Sequence, residues 1–171
     1  MNYFVSILIG YLIGCINPSY IASKIKKVEL QKVGSGNLGG TNTYFYVGRG
    51  WGIFVVLFDI CKAILAVIIC QSLFSQSPQI GLIAGVATIF GHMFPIFLKF
   101  KGGKGLACMG GLVLVTEWKF FVVILIVGCL LSILVNYGVM VAISASILYP
   151  IMYAIQTRSV FSFFVLAIAG A

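Results

Sequence analysis

Acidic side chains are almost missing from this chain of 171 residues: Glu29, Asp59 and Glu117 are the whole set, and they fall in different segments. Chemistry that needs paired carboxylates, or carboxylates gathered around a metal, has no material here. Histidine is scarcer still, with His92 alone, and no nucleophile–histidine–acid pattern accompanies it. The cysteines Cys15, Cys61, Cys70, Cys108 and Cys129 show no C-x-x-C pairing and lie in or beside apolar segments. They read as small buried residues, so neither a disulfide framework nor a metal site is expected. Charged residues make up only 8% of the chain, against 61% hydrophobic. A water-soluble domain is roughly a quarter charged and about half apolar, so a soluble core is excluded. Polar linkers and low-complexity tracts are also lacking, which argues for one domain over 1–171. The lack of an internal repeat argues against a transporter built from duplicated halves.

What is present is a series of long apolar runs. They cover Tyr3–Ala22, Trp51–Phe74 (interrupted only by Asp59 and Lys62), Ile80–Leu98, Leu106–Val115, Phe120–Val135, Val139–Ile155 and Val160–Ala171. A bilayer crossing needs about 20 such residues in a helix. The runs predict an all-α integral membrane protein, a polytopic bundle of about seven transmembrane helices. The last run is short for a crossing, so the natural chain is expected to continue past it. No Lys or Arg precedes the first run and no small-residue cleavage pattern follows it closely, as a signal peptide would require. That run is expected to be a retained helix.

The net charge of +8 raises nucleic acid as a partner, but its placement points to a membrane. Lys24, Lys26, Lys27, Lys32 and Arg49 follow the first run, Lys99, Lys101 and Lys104 follow the third, and the connection Ser75–Gln79 between the second and third has no charge. Short loops rich in Lys and Arg stay in the cytoplasm. Both basic loops follow odd-numbered runs, so the expected topology has the N-terminus outside and these loops inside. Glu117 and Lys119 flank Trp118 at what should be the outer boundary, the pattern of an interfacial anchor.

The first basic loop contains Gly34-Ser35-Gly36-Asn37-Leu38-Gly39-Gly40-Thr41-Asn42. Its glycines let the backbone approach a ligand and turn N–H groups toward an anion, and its short polar side chains suit polar oxygens. A flexible interfacial turn would have the same composition. The second contains Gly91-His92-Met93-Phe94-Pro95 and then Lys101-Gly102-Gly103-Lys104-Gly105. Two lysines around two glycines at the mouth of a helix offer positive charge and free N–H groups, an arrangement that suits phosphate. It is not a Walker A loop, which needs a further upstream glycine and a closing Ser or Thr. Lysines at a membrane surface also serve simply as anchors on anionic lipid. His92 reads either as a hydrogen-bonded structural residue or as an acid or base near neutral pH. Asp59 and Lys62, spaced i,i+3, are expected to face the bundle interior and neutralise each other.

Together these segments resemble the bacterial membrane acyltransferases that use acyl-phosphate and glycerol-3-phosphate to make lysophosphatidic acid. The resemblance rests on Gly34-Ser35-Gly36-Asn37 with Thr41-Asn42, on Val47-Gly48-Arg49-Gly50-Trp51-Gly52 leading into Asp59 and Lys62, and most firmly on residues 91–105. It implies attack of the primary hydroxyl of glycerol-3-phosphate on the acyl-phosphate carbonyl, with release of phosphate and no acyl-enzyme, at the inner face of a bacterial plasma membrane. It implies catalytic roles for Ser35, His92 and Lys104. Substrate binding would fall to Gly34, Gly36, Asn37, Thr41, Asn42, Arg49, Lys101, Gly102, Gly103 and Gly105. Either His92 or a substrate phosphate oxygen would take the proton. Acyl-phosphate, glycerol-3-phosphate and membrane lipid are the expected partners, with no cofactor, metal or nucleic acid.

The chain departs from the family in places. Phe45 stands where the family carries an arginine, with Arg49 one turn further on if the segment is helical. In the third family motif Asn136 and Tyr137 are kept, while Val139 and Ala142 replace serines and Ser144 and Ser146 follow. The family's polar C-terminal segment is not present. A homologue that binds lipid or phosphate without turnover is therefore a second reading. A small transporter lined by Asp59, Lys62 and His92 is a third.

Overall fold

The computed structural model describes residues 1–74, 79–136 and 140–170. Most of the uncharged connection at Ser75–Gln79, together with Tyr137, Val139, the Ala142 side chain and Ala171, lies outside the described residues. Among the described residues the chain is helical, with α1 (Asn2–Cys15), α2 (Pro18–Ile25), α3 (Gly40–Tyr46), α4 (Arg49–Leu73), α5 (Gln79–Met93), α6 (Leu106–Thr116), α7 (Trp118–Val135), α8 (Met140–Thr157) and α9 (Val160–Gly170). It divides into two compact units, Met1–Gly111 and Leu112–Ala171.

Among the described residues every apolar run of the sequence is helical over most of its length. Four stretches among the described residues are long and apolar enough to cross a membrane: Asn2–Ile25, Arg49–Leu73, Gln79–Leu98 and Trp118–Val135. At 25 residues, α4 extends about 37 Å at 1.5 Å per residue, more than the ~30 Å of a hydrocarbon core. α6 and α9, at 11 residues each, are shorter than a crossing, and α8 contains Pro150.

The first run, expected as one helix, is two. Pro18 has no N–H to donate and forces the preceding residue out of the helical region, so Asn17 is extended (φ −114°, ψ 101°). Its side chain accepts from Tyr20 N at 2.9 Å and caps α2, with Pro18 in the first turn. Basic loop one is also partly helical, since Gly40–Tyr46 forms α3. Gly48, at φ +143°, separates α3 from α4. Phe45 and Arg49 therefore sit on different helices, and the one-turn spacing expected between them does not hold.

In the first unit α5 is buried along most of its length, from Ile80 to His92, and packs against α1 and α4. Apolar residues gain little from facing one another rather than lipid, so close backbone approach sets the packing. Gly10 and Gly14 form a small-xxx-small pair on α1. A Cβ on Gly10 would come within 2.2 Å of the Ala84 carbonyl oxygen, and one on Gly14 within 2.2 Å of that of Thr88. From the other side, Gly91 of α5 meets the Tyr11 carbonyl in the same way. Thr88 Oγ1 adds a hydrogen bond to Gly10 O at 3.0 Å. On α4 the buried stripe is Gly52, Val55, Asp59, Lys62, Ala63, Ala66, Val67 and Cys70. Bulkier Ile53, Phe54, Leu57, Leu65 and Ile68 are exposed, the surface a helix shows to lipid. Side-chain size, more than polarity, separates inside from outside here.

In the second unit Gly128 lets α7 approach α8 at Val141, and Gly170 brings α9 against Ser146 of α8. The buried Tyr149 hydroxyl shares a 2.6 Å hydrogen bond with Thr116 Oγ1. Trp118 is exposed, and Glu117 accepts from Gln156 Nε2 at 2.5 Å.

Gly14→Val should lower the thermal unfolding midpoint in detergent, with a destabilisation of about 1–3 kcal/mol. Ile53→Val on the exposed face of α4 should leave the midpoint almost where it was.

Candidate functional site

The break between α1 and α2 leaves carbonyl groups at the end of α1 without helical donors. In a bilayer each such group needs a partner, and Lys62 of α4 supplies it. Its Nζ donates to Gly14 O at 3.1 Å and Ile16 O at 2.8 Å, and lies 3.0 Å from His92 Nδ1. The side chain is only 3% exposed. An ammonium so buried requires a nearby negative charge, and Asp59 Oδ1, one turn earlier on α4, sits 2.7 Å from Nζ and 3.3 Å from His92 Nδ1. Neither contact of Oδ1 has hydrogen-bond angles, and that oxygen has no donor. The pair is held by charge. The interior pairing expected from the i,i+3 spacing is present, and His92 joins it.

Asp59, His92 and Cys108 each bring a ligating atom within 4.8 Å of the others. This grouping escaped the sequence reading, because the residues are far apart in the chain and only helix packing unites them. Lys62 already supplies positive charge to it, so an added cation would compete with the ammonium.

Below His92 lies the second basic loop. Phe94 O accepts from Tyr11 Oη at 2.8 Å, and a 3-10 turn covers Ile96–Leu98. Lys99 and Phe100 are left-handed, and the chain then doubles back. Gly103 N donates to His92 O at 3.0 Å and Gly102 N to Met93 O at 3.1 Å. The expectation that these two glycines offer free N–H groups to phosphate is therefore corrected: both donors cap the C-terminal carbonyls of α5. Glycine is needed for closeness. A Cβ on Gly102 would lie 2.0 Å from His92 O, and one on Gly103 1.9 Å from His92 Nε2. Gly105, at φ +77°, turns the chain into α6 and accepts from Met109 N at 2.8 Å. Lys101 and Lys104 are exposed on the outer side of this turn.

The first loop is stitched from within. Asn42, on α3, donates through Nδ2 to Leu30 O at 3.1 Å and Val33 O at 3.2 Å, and accepts from Ser35 N at 3.3 Å. Its amide is buried and committed to the loop backbone. Thr43 Oγ1 contacts Ser19 Oγ and donates toward Gly39 O, both at 3.0 Å, and Asn17 Nδ2 donates to Leu38 O at 3.2 Å. Ser35, Gly34 and Thr41 are exposed, while Gly36 and Asn37 are half-buried. Lys32 is paired with Glu29 and holds that carboxyl below the usual range through their hydrogen bond. Asn17 and Thr43 were not singled out from sequence. The tight Asn-Pro break was the available signal for Asn17.

The two loops meet. Leu38 N donates to Gly102 O at 3.3 Å and Gln31 Nε2 to Lys101 O at 3.4 Å. Ser35, Lys101 and Lys104 thus belong to one exposed, basic end of the first unit. Beside it, Gly40, Thr41, Tyr44, Phe45, Gly52, Ile53, Val56 and Leu57 line an apolar cleft of about 400 Å³ between α3 and α4. Arg49 is exposed at the start of α4, and Phe45 is 72% exposed. In the second unit Asn136 ends α7 in a left-handed conformation, Ser144 is buried, and Ser146 lines a groove with Pro150 and Phe163.

Long apolar helices with polar, cationic loops hydrogen-bonded at one end define an integral membrane protein whose basic end is open to an anionic group. The family model for glycerol-3-phosphate acyltransferase matches residues 4–171. A glycerol-3-phosphate acyltransferase from Thermoanaerobacter pseudethanolicus is 35% identical over 153 residues, covering 89% of this chain and 76% of that protein. One from Coxiella burnetii is 32% identical over 170 residues, covering 99% and 88%. Among solved structures, the integral membrane glycerol 3-phosphate acyltransferase PlsY (YgiH) in its glycerol 3-phosphate form superposes with a TM-score of 0.88 at 28% identity, over 99% of this chain and 85% of that one. Its lysophosphatidic acid form gives 0.85 at 26% identity. The chain belongs to the glycerol-3-phosphate acyltransferase family.

Lys62→Met would leave Asp59 buried without a counter-charge and should destabilise the protein by about 3–5 kcal/mol. The double variant Asp59→Asn/Lys62→Met should recover part of that loss. A double-mutant cycle on thermal unfolding in detergent measures the coupling.

Proposed function

We propose that this chain transfers an acyl group from acyl-phosphate to the primary hydroxyl of glycerol-3-phosphate, forming lysophosphatidic acid and phosphate. The contact between the two basic loops, Leu38 N to Gly102 O, carries the reading. It gathers Ser35, Lys101 and Lys104 at the end of a helical unit whose sides are apolar. In the reaction the hydroxyl oxygen bonds to the acyl carbon, the tetrahedral centre collapses, and the bond to the phosphate oxygen breaks with its electron pair leaving on phosphate. The hydroxyl proton passes to an acceptor. Two phosphate groups must be held close together, and the lysines offset their repulsion while charge develops on the carbonyl oxygen.

Ser35 and Lys104 keep the catalytic assignment, whereas His92, beneath the loop, acts by supporting it. Gly34, Gly36, Asn37, Thr41, Arg49 and Lys101 surround the substrates, whereas Asn42, Gly102, Gly103 and Gly105 act by shaping the loops. The apolar cleft beside Thr41 suits the first part of an acyl chain. The whole of 1–171 acts as one domain of about seven crossings in the plasma membrane of a bacterium, with the N-terminus outside and both basic loops in the cytoplasm. In support of the topology, the loops after the first and third spans touch, which loops on opposite sides of a bilayer could not do.

A second reading, a homologue that binds without turnover, is favoured by Phe45 at the position of the family's arginine and by its exposure. The transporter reading loses its basis, because Lys62, Asp59 and His92 are directed at one another and at α1 carbonyls.

The purified protein, given acyl-phosphate and glycerol-3-phosphate, should produce lysophosphatidic acid and phosphate in equal amounts. Removing a charge-assisted contact costs roughly 1.5–3 kcal/mol, so Lys104→Ala should lower kcat/KM about 10–100-fold. Binding of glycerol-3-phosphate by well-folded protein without product would establish the second reading. Gly103→Ala should cut turnover at least about 10-fold at unchanged expression, because its Cβ would collide with the His92 ring. Activity and thermal midpoint, read on the same preparation, check this.

A further inference from the structure

We propose that Lys62 is a positioning residue that fixes His92 as the neutral tautomer carrying its proton on Nε2, so that His92 is the floor of the second basic loop and not the base of the reaction. The functional half of this inference rests on the acyl-transfer reading. The tautomer does not.

The argument is an accounting of hydrogens. A lysine ammonium has three donors and no acceptor. The contacts of Lys62 Nζ that have hydrogen-bond geometry are Gly14 O, Ile16 O and His92 Nδ1. Two of them are carbonyls at the end of α1, which can only accept, so the third hydrogen goes to Nδ1. A nitrogen that accepts cannot carry a proton of its own, and the ring proton is left on Nε2. The opposite tautomer would set an Nδ1 hydrogen against an ammonium 3.0 Å away. It would gain only Asp59 Oδ1 at 3.3 Å, an oxygen already 2.7 Å from the ammonium charge. Other than Asp59 and Lys62 of α4, the titratable group gathered with His92 is the buried Cys108 thiol of α6.

The other face of the ring lies under the loop. Nε2 is so close to Gly103 that a Cβ there would fall 1.9 Å from it, while the His92 carbonyl takes the Gly103 N–H. With Nδ1 occupied by Lys62 and Nε2 protonated, neither ring nitrogen has a lone pair to accept the hydroxyl proton. Of the two acceptors expected from the sequence, His92 is ruled out. What the ring does is hold up Gly102–Gly103, and with them the backbone that presents Lys101 and Lys104. Lys62 therefore reaches the loop through His92.

Because His92 is the single histidine, histidine-selective 15N labelling gives the spectrum of one ring. In full-length protein in detergent near pH 7, without substrate, the spectrum should contain one bare and one protonated nitrogen. The bare one should be Nδ1, identified by its weak coupling to Hδ2, whereas Nε2 couples to both ring hydrogens. A proton on Nδ1, or a doubly protonated ring, overturns the proposal. In Lys62→Met the bare Nδ1 signal should be lost as the ring turns its proton to Asp59; an unaltered spectrum from folded variant protein also overturns it. The wild-type spectrum decides the tautomer even if that variant does not fold. It is read without turnover, so a failed acyl-transfer assay leaves it standing, and the wrong tautomer leaves acyl transfer standing.

Discussion

A proline in the first membrane helix is what the rest of the first unit has to accommodate. Pro18 ends α1 inside the first span and leaves Gly14 and Ile16 carbonyls with no helical donor. Lipid cannot hydrogen-bond them, so a donor must come from a neighbouring helix. Lys62 of α4 is that donor, and its charge in turn requires Asp59. The ammonium then reaches His92 of α5. Three helices are thereby tied through one side chain, at a depth where an unpaired polar group would be costly.

From that knot the connection runs outward to the surface. His92 and Met93 give their carbonyls to Gly103 and Gly102, and Gly102 gives its own to Leu38 of the other loop. Asn42 and Asn17 fasten the first loop from inside. The polar residues thus divide by burial: Asn17, Asn42, Thr43, Asp59, Lys62 and His92 are buried and build the scaffold, while Ser35, Lys101 and Lys104 are exposed. Catalysis by fixed charges depends on a framework that does not rearrange, and the buried set provides one.

Small residues allow this arrangement. Gly10, Gly14 and Gly91 bring α1 and α5 into backbone contact, and Gly111 brings α6 onto the Ile60 carbonyl. Without that closeness the α1 carbonyls, Lys62 and His92 would not come within hydrogen-bond range. The glycine content that reads as flexibility in a loop serves here as proximity in a bundle.

Much was legible from the sequence. Runs of apolar residues determined the helices, because a bilayer selects for hydropathy over a fixed length. The distribution of Lys and Arg marked two loops as related, and motif likeness in residues 34–105 pointed to the family to which the chain belongs. The Asp59–Lys62 pairing followed from i,i+3 spacing alone. Only the tertiary structure decided what those groups touch. That Gly102 and Gly103 cap α5, that Asn42 is a staple for its own loop, and that Lys62 bridges α1 and His92 are contacts that reach beyond any one helix's own periodicity, and those of Lys62 join segments distant in sequence. Periodicity and composition describe a segment's own faces and carry no information on which carbonyl a buried donor will find. That is set when helices pack, and here it was set by where Pro18 left carbonyls exposed and where glycine let another backbone come near.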